Sequence, residues 1–174
     1  MAKRNNFPIF LALTCTYALF IFFLSSLSSP PTPSNVGFFI ELVKEVMNLL
    51  EGLGLEFLLY PFYAVYLYPD KFMHALLYMG FGLLLNMTFR NAKNADLSRY
   101  PAFAAVIIGT FYALTDEFHQ SFVPYRNPSL TDLLADFTGL VLAQLLILVY
   151  PGILKLLSKK GRKRRNSITT RRYK

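Results

Sequence analysis

Apolar residues in this chain are gathered into runs long enough to cross a lipid bilayer, and this feature limits the possible folds more than any other. The first run, 7–27, consists almost entirely of hydrocarbon and aromatic side chains. A helix of about 20 residues, at a rise of about 1.5 Å per residue, spans a bilayer core of about 30 Å. Hydrophobic residues make up 54 % of the 174 residues and charged residues only 16 %. A small integral membrane protein is therefore indicated.

Proline and charge divide the apolar sequence into four predicted spans. After the first run, further spans are expected at 71–89, from Pro101 to the Asp116 region, and from near Ser129 to Pro151-Gly152. A secretory signal peptide is the alternative for the first run, but its apolar part exceeds the usual core of about 7 to 15 residues. We therefore favour a retained helix. The predicted fold is all-α, a transmembrane four-helix bundle.

The segment between the first two spans is predicted to lie on the outer side of the membrane. A proline-rich linker, 30–33, precedes an amphipathic helix at 38–53. The tyrosine-rich stretch 57–68, broken at Pro61, is too short for a span and reads as an interfacial or re-entrant segment. A polar loop is expected later, at 90–99. These boundaries give a first helix or uncleaved signal anchor (1–29), an outer segment (30–69), a three-helix core (70–152) and a basic cytoplasmic tail (153–174).

Basic residues predict the orientation of the chain. If the N-terminus is cytoplasmic, fifteen of the eighteen Lys and Arg residues are cytoplasmic, and ten of these lie between Lys155 and Lys174. Because basic residues in short flanking segments stay in the cytoplasm, the prediction is N-in and C-in, in the cell membrane. Membrane orientation and anionic lipid explain the net charge of +8, so nucleic acid is not expected as a partner. The single cysteine, Cys15, leaves no disulfide framework and no cysteine metal cluster.

In this orientation, polar side chains from three helix ends reach the same membrane depth on the extracytoplasmic side. They come from the start of the second span, the end of the third and the start of the fourth, with an arginine in the loop between the last two. Ionisable groups at this depth are costly and therefore indicate a functional site. The residues are Asp70, Lys71, His74, Tyr78, Asp116, Glu117, His119, Gln120, Arg126, Asp132 and Asp136.

On the second span, Asp70, His74 and Tyr78 are four residues apart and so share one stripe of the helix. Asp70 is a plausible N-cap of this helix, and capping is the alternative to a role in the site. Lys71 either joins the site or extends to the lipid headgroups. Tyr78 either lines the site or packs between helices.

On the third span, Asp116 shares a face with His119 and Gln120 if the helix continues that far. Glu117 and Phe118 would then point elsewhere. Acids at a helix C-terminus oppose the macrodipole, which favours a functional reason for their presence.

On the fourth span, Ser129 and Asp132 have the spacing of a capping box, which would explain Asp132 structurally. Asp136 lies one turn deeper without such an explanation, so its carboxylate should face the bundle interior and meet a partner. Gly139 and Ala143 continue its face and would allow another helix to approach closely. The partners available to Asp136 are His74, Lys71 and Arg126.

The polar residues form two separated motifs. They are Asp70-Lys71-x-x-His74-x-x-x-Tyr78 and Thr115-Asp116-Glu117-x-His119-Gln120, followed by Pro124, Arg126, Ser129, Asp132, Asp136 and Gly139. This pattern resembles the VanZ-like family of bacterial membrane proteins. The resemblance covers about residues 70–150 and implies a polytopic membrane protein; the named member of the family is linked to low-level teicoplanin resistance, and its biochemical activity is undefined. Tyr125 stands where the family often has glycine, and the segment 30–68 is longer than the family pattern requires.

Three functions remain open at this stage. The first is recognition of an outer-leaflet polar group, such as a lipid-linked wall precursor or lipoglycopeptide, with membrane lipids as further partners and Lys71 and Arg126 holding phosphate or carboxylate. The second is a membrane-embedded hydrolase or transferase that uses His and Asp for acid–base chemistry. The third is a purely structural interhelical network. Catalytic candidates are His74, Asp116, Glu117, His119 and Asp136, and substrate-binding candidates are Asp70, Lys71, Tyr78, Gln120, Arg126 and Asp132.

No cofactor follows from the sequence, and no metal site is assigned. The motifs Gly-x-Ser-x-Gly and His-Glu-x-x-His do not occur. A metal site built from His74, His119 and two acids stays open, although two histidines outside a tight ligand motif are a weak signal. The oligomeric state cannot be inferred.

Overall fold

Helices account for all the regular structure of the described residues. The structure, a computed structural model, describes residues 6–28 and 37–172, and their side chains over 6–28, 41–60, 62–63 and 65–151. The all-α prediction is confirmed in this part of the chain, whereas the predicted linker at 30–33 lies outside it. The helices are α1 (Phe7–Ser25), α2 (Gly37–Gly52), α3 (Leu59–Leu67), α4 (Pro69–Arg90), α5 (Ala95–Arg99), α6 (Pro101–Gln120) and α7 (Leu130–Arg172), with a 3₁₀ turn (Glu56–Leu58) before α3.

Three of the described helices are long and apolar enough to cross a membrane. They are α1, α4 and the part of α7 between Leu130 and Pro151. The remaining predicted span, α6, has sufficient length, but Asp116, Glu117 and other polar residues in its last turns lower its mean hydropathy. Composition and length therefore indicate a membrane protein and identify three of the four predicted spans.

Helix α4 lies at the centre, and α1, α6 and α7 each pack against it. The hydrogen bonds show how the helices run. Thr14, near the middle of α1, pairs with Thr88 in the last turn of α4, while Ser26 and His119 pair at the ends of α1 and α6. As a result, the last turns of α1 and α6 meet the first turns of α4 and α7 at one end of the molecule. We call this end the polar end.

Aromatic side chains fill the space between α1, α4 and α6. The Phe81 ring lies 5.0 Å from that of Tyr112 and 6.4 Å from that of Tyr17, measured between centroids. The two tyrosine hydroxyl groups donate hydrogen bonds to carbonyl oxygens of neighbouring helices, Tyr17 to Leu77 at 3.1 Å and Tyr112 to Ala18 at 2.6 Å. Each tyrosine therefore contributes apolar packing and also satisfies its hydroxyl in a setting without water.

Small residues allow α4 and α7 to approach closely. A Cβ atom added at Gly139 would collide with the backbone carbonyl of Ala75, and one added at Gly82 would lie 3.0 Å from the Cβ of Ala143. The predicted close approach along the Gly139 face is confirmed. Deeper in the same interface, buried Asn86 Nδ2 donates a 2.6 Å hydrogen bond to Gln144 Oε1. Polar pairs of this kind join helices in lipid, where no water competes for the amides.

The segment between α1 and α4 forms two helices in its described part, α2 and α3. In α2, Val43 is buried and Val46 is half-buried, while Glu41 and Glu45 are exposed, as expected for an amphipathic helix. The Lys44 ammonium lies 5.5 Å from the centre of the Tyr66 ring of α3. Pro61 falls in the first turn of α3, where a missing N–H costs little. With nine residues, α3 is too short to span a bilayer.

One predicted boundary is wrong, and another holds for the membrane span but not for the whole helix. The expected polar loop at 90–99 contains the short helix α5, because the Asn94 side chain accepts hydrogen bonds from the backbone N–H groups of Asp96 and Leu97. The fourth span, expected to stop at Pro151-Gly152, does end at Pro151, although helix α7 continues to Arg172. Proline removes one backbone hydrogen bond there, while the lysines and arginines that follow are good helix formers. Sequence patterns therefore located the end of the apolar part of α7 rather than the end of the helix.

Candidate functional site

A buried histidine and carboxylate form the centre of the polar end. His74, in the second turn of α4, lies with its Nδ1 atom 3.0 Å from Oδ1 of Asp136 in α7. Asp136 is 0 % exposed, and its other oxygen, Oδ2, has no hydrogen-bond partner among the described residues. Of the three partners predicted for Asp136, the structure selects His74. A half-satisfied carboxylate in a buried position is costly, so a further polar group is needed at Oδ2.

Lys71 joins the first turns of α4 and α7. Its ammonium contacts a carboxylate oxygen of Asp132 and lies 3.0 Å from Asp70 Oδ2. Predicted capping by Asp70 is wrong, because Tyr68 occupies the N-cap position and Pro69 begins the helix. Asp70 instead lies in the first turn, where a carboxylate is favoured by the helix dipole and by the adjacent ammonium. Because the Lys71 ammonium pairs with both acids, its charge is largely neutralised within the protein.

The predicted capping box of Ser129 and Asp132 does not form. The backbone N–H of Ser129 donates a 2.7 Å hydrogen bond to Glu117 Oε2, and the Asp132 carboxylate pairs with Lys71. The Ser129 hydroxyl accepts from the N–H of Thr131 instead. Charged partners from other helices are stronger than the local cap, so tertiary contacts decide the use of both residues.

The faces predicted for the end of α6 are partly wrong. Glu117, expected to point elsewhere, is only 7 % exposed, and its Oε1 atom has no hydrogen-bond partner among the described residues. His119, expected beside Asp116, contacts α1: its Nε2 atom lies 3.0 Å from Ser26 Oγ, and its ring stacks 4.5 Å from that of Phe22. The rotation of α6 about its axis therefore turns Glu117 toward His74.

Asp116, Gln120 and Tyr78 complete the buried polar cluster. Gln120 Nε2 donates a 3.2 Å hydrogen bond to Asp116 Oδ2, as their spacing on one face predicts. Oδ1 of Asp116 and the hydroxyl of Tyr78 lack hydrogen-bond partners within the described parts of the chain, and both side chains are almost fully buried. Ser25, at the end of α1, lies beside Asp116. No sequence pattern pointed to Ser25 beyond its position at the end of the first apolar run.

A cavity of about 90 Å³ opens between α1, α4 and α6 at this cluster. A single water molecule needs a cavity volume of only about 10–15 Å³, so this cavity can hold several waters or a small polar group. The Arg126 side chain lines it, and the Nε atom of Arg126 has no hydrogen-bond partner among the described residues. The remaining lining residues are Ile21, Leu24, Ser25, Asp70, Met73, His74, Leu77, Tyr78, Asp116 and Gln120.

On the other side of α4, a wide apolar groove of about 650 Å³ begins at Lys71. It lies between α3, α4 and α7, and its walls include Val65, Phe72, Ala135 and Leu142. Such a surface suits hydrocarbon chains. The charged cluster thus lies between a small polar cavity on one side and a lipid-sized groove on the other.

Three helices converge at one point of the cluster. Ligand atoms of His74 (α4), Glu117 (α6) and Asp136 (α7) all lie within 4.8 Å of one another. The structure thus brings together most of the residues predicted for the site, from Asp70 to Asp136, and leaves His119 at its edge. Cys15 is exposed and lies in α1 away from this end.

The comparison with protein families agrees with this architecture. The family model described as VanZ/LLP1 matches residues 9–154, which include α1, α4, α6 and the apolar part of α7. No curated protein and no solved structure matches the chain significantly. Because the match covers most of the chain and all the helix ends that form the cluster, the chain belongs to the VanZ/LLP1 family.

Proposed function

We propose that this membrane protein binds the polar headgroup of a lipid-linked cell-envelope molecule at the extracytoplasmic face of the bacterial cell membrane. The observation that carries the proposal is the cavity between α1, α4 and α6, which combines the Arg126 side chain and the buried polar cluster with an apolar wall of Ile21, Leu24 and Leu77. An amphipathic cavity of this kind fits a headgroup joined to a hydrocarbon chain.

Arg126 is better placed than Lys71 to hold an anionic headgroup. Lys71 already contacts Asp70 and Asp132, whereas the Nε donor of Arg126 has no hydrogen-bond partner among the described residues. A guanidinium group also forms bidentate hydrogen bonds with phosphate or carboxylate, which an ammonium group cannot do. The expected ligand is therefore a phosphorylated or carboxylated lipid held by Arg126.

The proposed orientation has four spans, with α6 as the fourth, and both chain ends in the cytoplasm. The distribution of basic residues supports it, as does the position of α5 and Arg90 at the end of the molecule opposite the polar end. Polar residues in the last turns of α6 would lie near the outer surface, where their cost in lipid is smallest.

Cysteine labelling tests the orientation. In a Cys15→Ser background, Tyr125→Cys near the polar end and Lys93→Cys near the opposite end are both exposed positions. A membrane-impermeant maleimide added to intact cells should label the first and not the second. Labelling of Lys93→Cys alone would reverse the proposed topology.

Binding is tested with two probes that differ only in the headgroup. Purified protein in nanodiscs should bind a polyprenyl phosphate more tightly than the uncharged polyprenol. Charge-assisted hydrogen bonds contribute about 1.5–3 kcal/mol, so Arg126→Gln should weaken phosphate binding about tenfold or more. Arg90→Gln is the matched control because Arg90 is exposed at the far end of α4. Equal binding of both probes, or no effect of Arg126→Gln, would contradict the proposal.

Resistance to teicoplanin is the cellular function that we propose on the basis of family membership. A protein that captures lipid-linked precursors or the lipid tail of the antibiotic at the outer face would reduce the antibiotic's access to its target. Deletion of the gene should lower the inhibitory concentration of teicoplanin, and complementation with Arg126→Gln should restore less resistance than Arg90→Gln. An unchanged inhibitory concentration of teicoplanin in the deletion strain would contradict this role.

A second candidate function is a membrane-embedded hydrolase or transferase. The observation that favours it is the His74–Asp136 pair, because a carboxylate that fixes an imidazole is the arrangement that general bases use. Nanodisc-embedded protein would be incubated with a polyprenyl pyrophosphate and assayed for released phosphate. Release that is abolished by His74→Gln and kept by His119→Gln would support an enzyme, whereas binding without release would leave recognition as the function.

A further inference from the structure

We propose that His74, Glu117 and Asp136 bind a divalent transition-metal ion at the centre of the polar end. Their ligand atoms lie within 4.8 Å of one another, although the three residues come from three different helices. Oxygen and nitrogen ligands lie about 2.0–2.2 Å from such an ion, so neighbouring ligands of a tetrahedral ion are about 3.3–3.6 Å apart. The described ligand atoms therefore need to approach one another by about 1.5 Å or less to close on an ion.

Two buried oxygens outside this triad point to a missing polar partner. The hydroxyl of Tyr78, which is 1 % exposed, and Oδ1 of Asp116, which is 5 % exposed, have no hydrogen-bond partner among the described residues. Tyr78 is close enough to Asp116, Glu117 and Asp136 for their charges to act on it, and it lines the same cavity as Asp116. Buried oxygens are normally satisfied, so the Tyr78 hydroxyl, together with the unpartnered Oε1 of Glu117 and Oδ2 of Asp136, points to a bound ion with its waters.

The charge of the cluster also favours a cation. Three buried carboxylates, those of Asp116, Glu117 and Asp136, lie in the cluster, while Lys71 is paired with Asp70 and Asp132. Metal-ligating histidine is neutral, so Arg126 would be the only cationic side chain lining the cavity in the described part of the chain. A divalent ion removes the excess negative charge in a place where lipid and protein screen it poorly.

The surrounding contacts hold the ligands in place. The Ser129 N–H fixes Oε2 of Glu117 at 2.7 Å and leaves Oε1 for the ion. Asp136 lies on α7, and the absence of a side chain at Gly139 allows α7 to pack closely against α4, which brings Asp136 to His74. Partners of this kind orient the ligands of metal sites in proteins.

The donor set selects the class of ion. One imidazole nitrogen and two carboxylate oxygens suit Zn²⁺ or Mn²⁺, whereas Ca²⁺ and Mg²⁺ prefer oxygen ligands alone and copper(I) prefers sulfur. For the role of the ion, the inference rests on the proposed function: together with Arg126, the ion would hold an oxygen of the anionic headgroup in the cavity. The existence of the site does not depend on that role.

Metal binding by the purified full chain tests the inference. Protein in nanodiscs would be stripped with a chelator, reloaded with Zn²⁺ or Mn²⁺, desalted and analysed for metal content. We expect one ion per chain, and a loss of affinity of about hundredfold or more in Glu117→Gln, since even changes in the supporting contacts of a metal site reduce affinity about 10- to 100-fold. Glu51→Gln, an exposed position on α2, is the matched control. Absence of stoichiometric metal, or unchanged affinity in Glu117→Gln, overturns the site.

A measurement on the unaltered protein covers the case in which Glu117→Gln does not fold. Pulsed EPR of Mn²⁺-loaded protein should detect one coordinated imidazole nitrogen, and that signal should persist in His119→Asn. A spectrum without nitrogen coupling overturns the site. Polyprenyl phosphate binding that is unaffected by the chelator would refute the metal's role but leave the proposed function intact. One bound ion without any phosphate binding would refute the proposed function and leave the metal site intact.

Discussion

The close contact of α4 and α7 at Gly139 makes a sharp prediction about stability. In Gly139→Ala, the new Cβ would collide with the Ala75 carbonyl and lie 2.9 Å from the backbone N of Met79. These are backbone atoms within helix α4, so neither can move away alone. The two helices must separate, and the ion pairs of Lys71 and His74 across the same interface must lengthen.

The size of the effect follows from two opposed contributions. Alanine is favoured over glycine in a helix by about 1 kcal/mol. Overpacking a tight interface costs about 1–3 kcal/mol, and an obstacle made of backbone indicates the upper end of that range. The expected net loss is about 2 kcal/mol, which lowers the melting temperature by about 4–8 °C for a chain of this length.

A thermal melt of detergent-solubilised protein measures this loss. Gly52→Ala is the matched control, because a Cβ at Gly52 meets no atom within 4 Å. Gly52→Ala should melt at or slightly above the wild-type temperature, while Gly139→Ala should melt clearly below it. If Gly139→Ala melts at or above the wild-type temperature, the two helices do not approach as closely as described, and the geometry of the His74 pair loses its basis.

Three further changes test individual contacts. His74→Ala leaves the buried Asp136 carboxylate unpaired and should lower the free energy of unfolding by about 3–5 kcal/mol. His119→Ala should lower it by about 1 kcal/mol or less, so equal melting temperatures of the two variants would contradict the buried pair. Asn86→Leu leaves the buried Oε1 of Gln144 without its donor and should lower the free energy of unfolding by about 1–3 kcal/mol in a denaturant titration. The double replacement of both residues by leucine should recover part of that loss. Tyr17→Phe removes one interhelical hydrogen bond and should lower stability by about 0.5–1.5 kcal/mol in the same titration, so an unchanged midpoint would argue against that bond.

The sequence predicted the helices and their meeting point because both depend on local signals. Apolar runs of sufficient length predicted the helices, and the distribution of basic residues predicted their directions. Lys71, His74 and Asp136 were placed at one end because each lies within two turns of a predicted helix start. Asp136, which had no local explanation, was correctly expected to need a partner from another helix.

The pairing of individual side chains could not be predicted, because tertiary contacts decide it. Spacing on α6 placed His119 with Asp116, but spacing does not fix the rotation of a helix about its axis, and the structure turns Glu117 inward. Local capping rules assigned Asp70 and Asp132 to helix starts, yet both pair with Lys71. For Asp132, a charged partner from a neighbouring helix outweighs a neutral cap.

The backbone at Tyr125 is one that glycine would fit without strain. Its φ angle is +64°, in the left-handed region that glycine adopts freely. The expectation of glycine at this position, drawn from the family resemblance, therefore has a physical reason. The Tyr125 side chain is 95 % exposed, so its ring is not held in place by packing.

The contact at Gly139 also resolves an ambiguity in how α4 and α7 align. Lys71 pairs with Asp132 and His74 with Asp136, at separations of 61 and 62 residues along the chain. Because Asp132 and Asp136 are one turn apart, sliding α7 by about four residues would still offer His74 a carboxylate. Electrostatic attraction alone is therefore compatible with two alignments of α7 along α4.

Sliding in either direction would bring an alanine, Ala135 or Ala143, to the place that Gly139 now occupies. The Cβ of that alanine would meet the carbonyl of Ala75, where only glycine fits. The steric fit at Gly139 thus determines which acid pairs with His74. The charges attract the two helices to each other, and the glycine fixes their alignment.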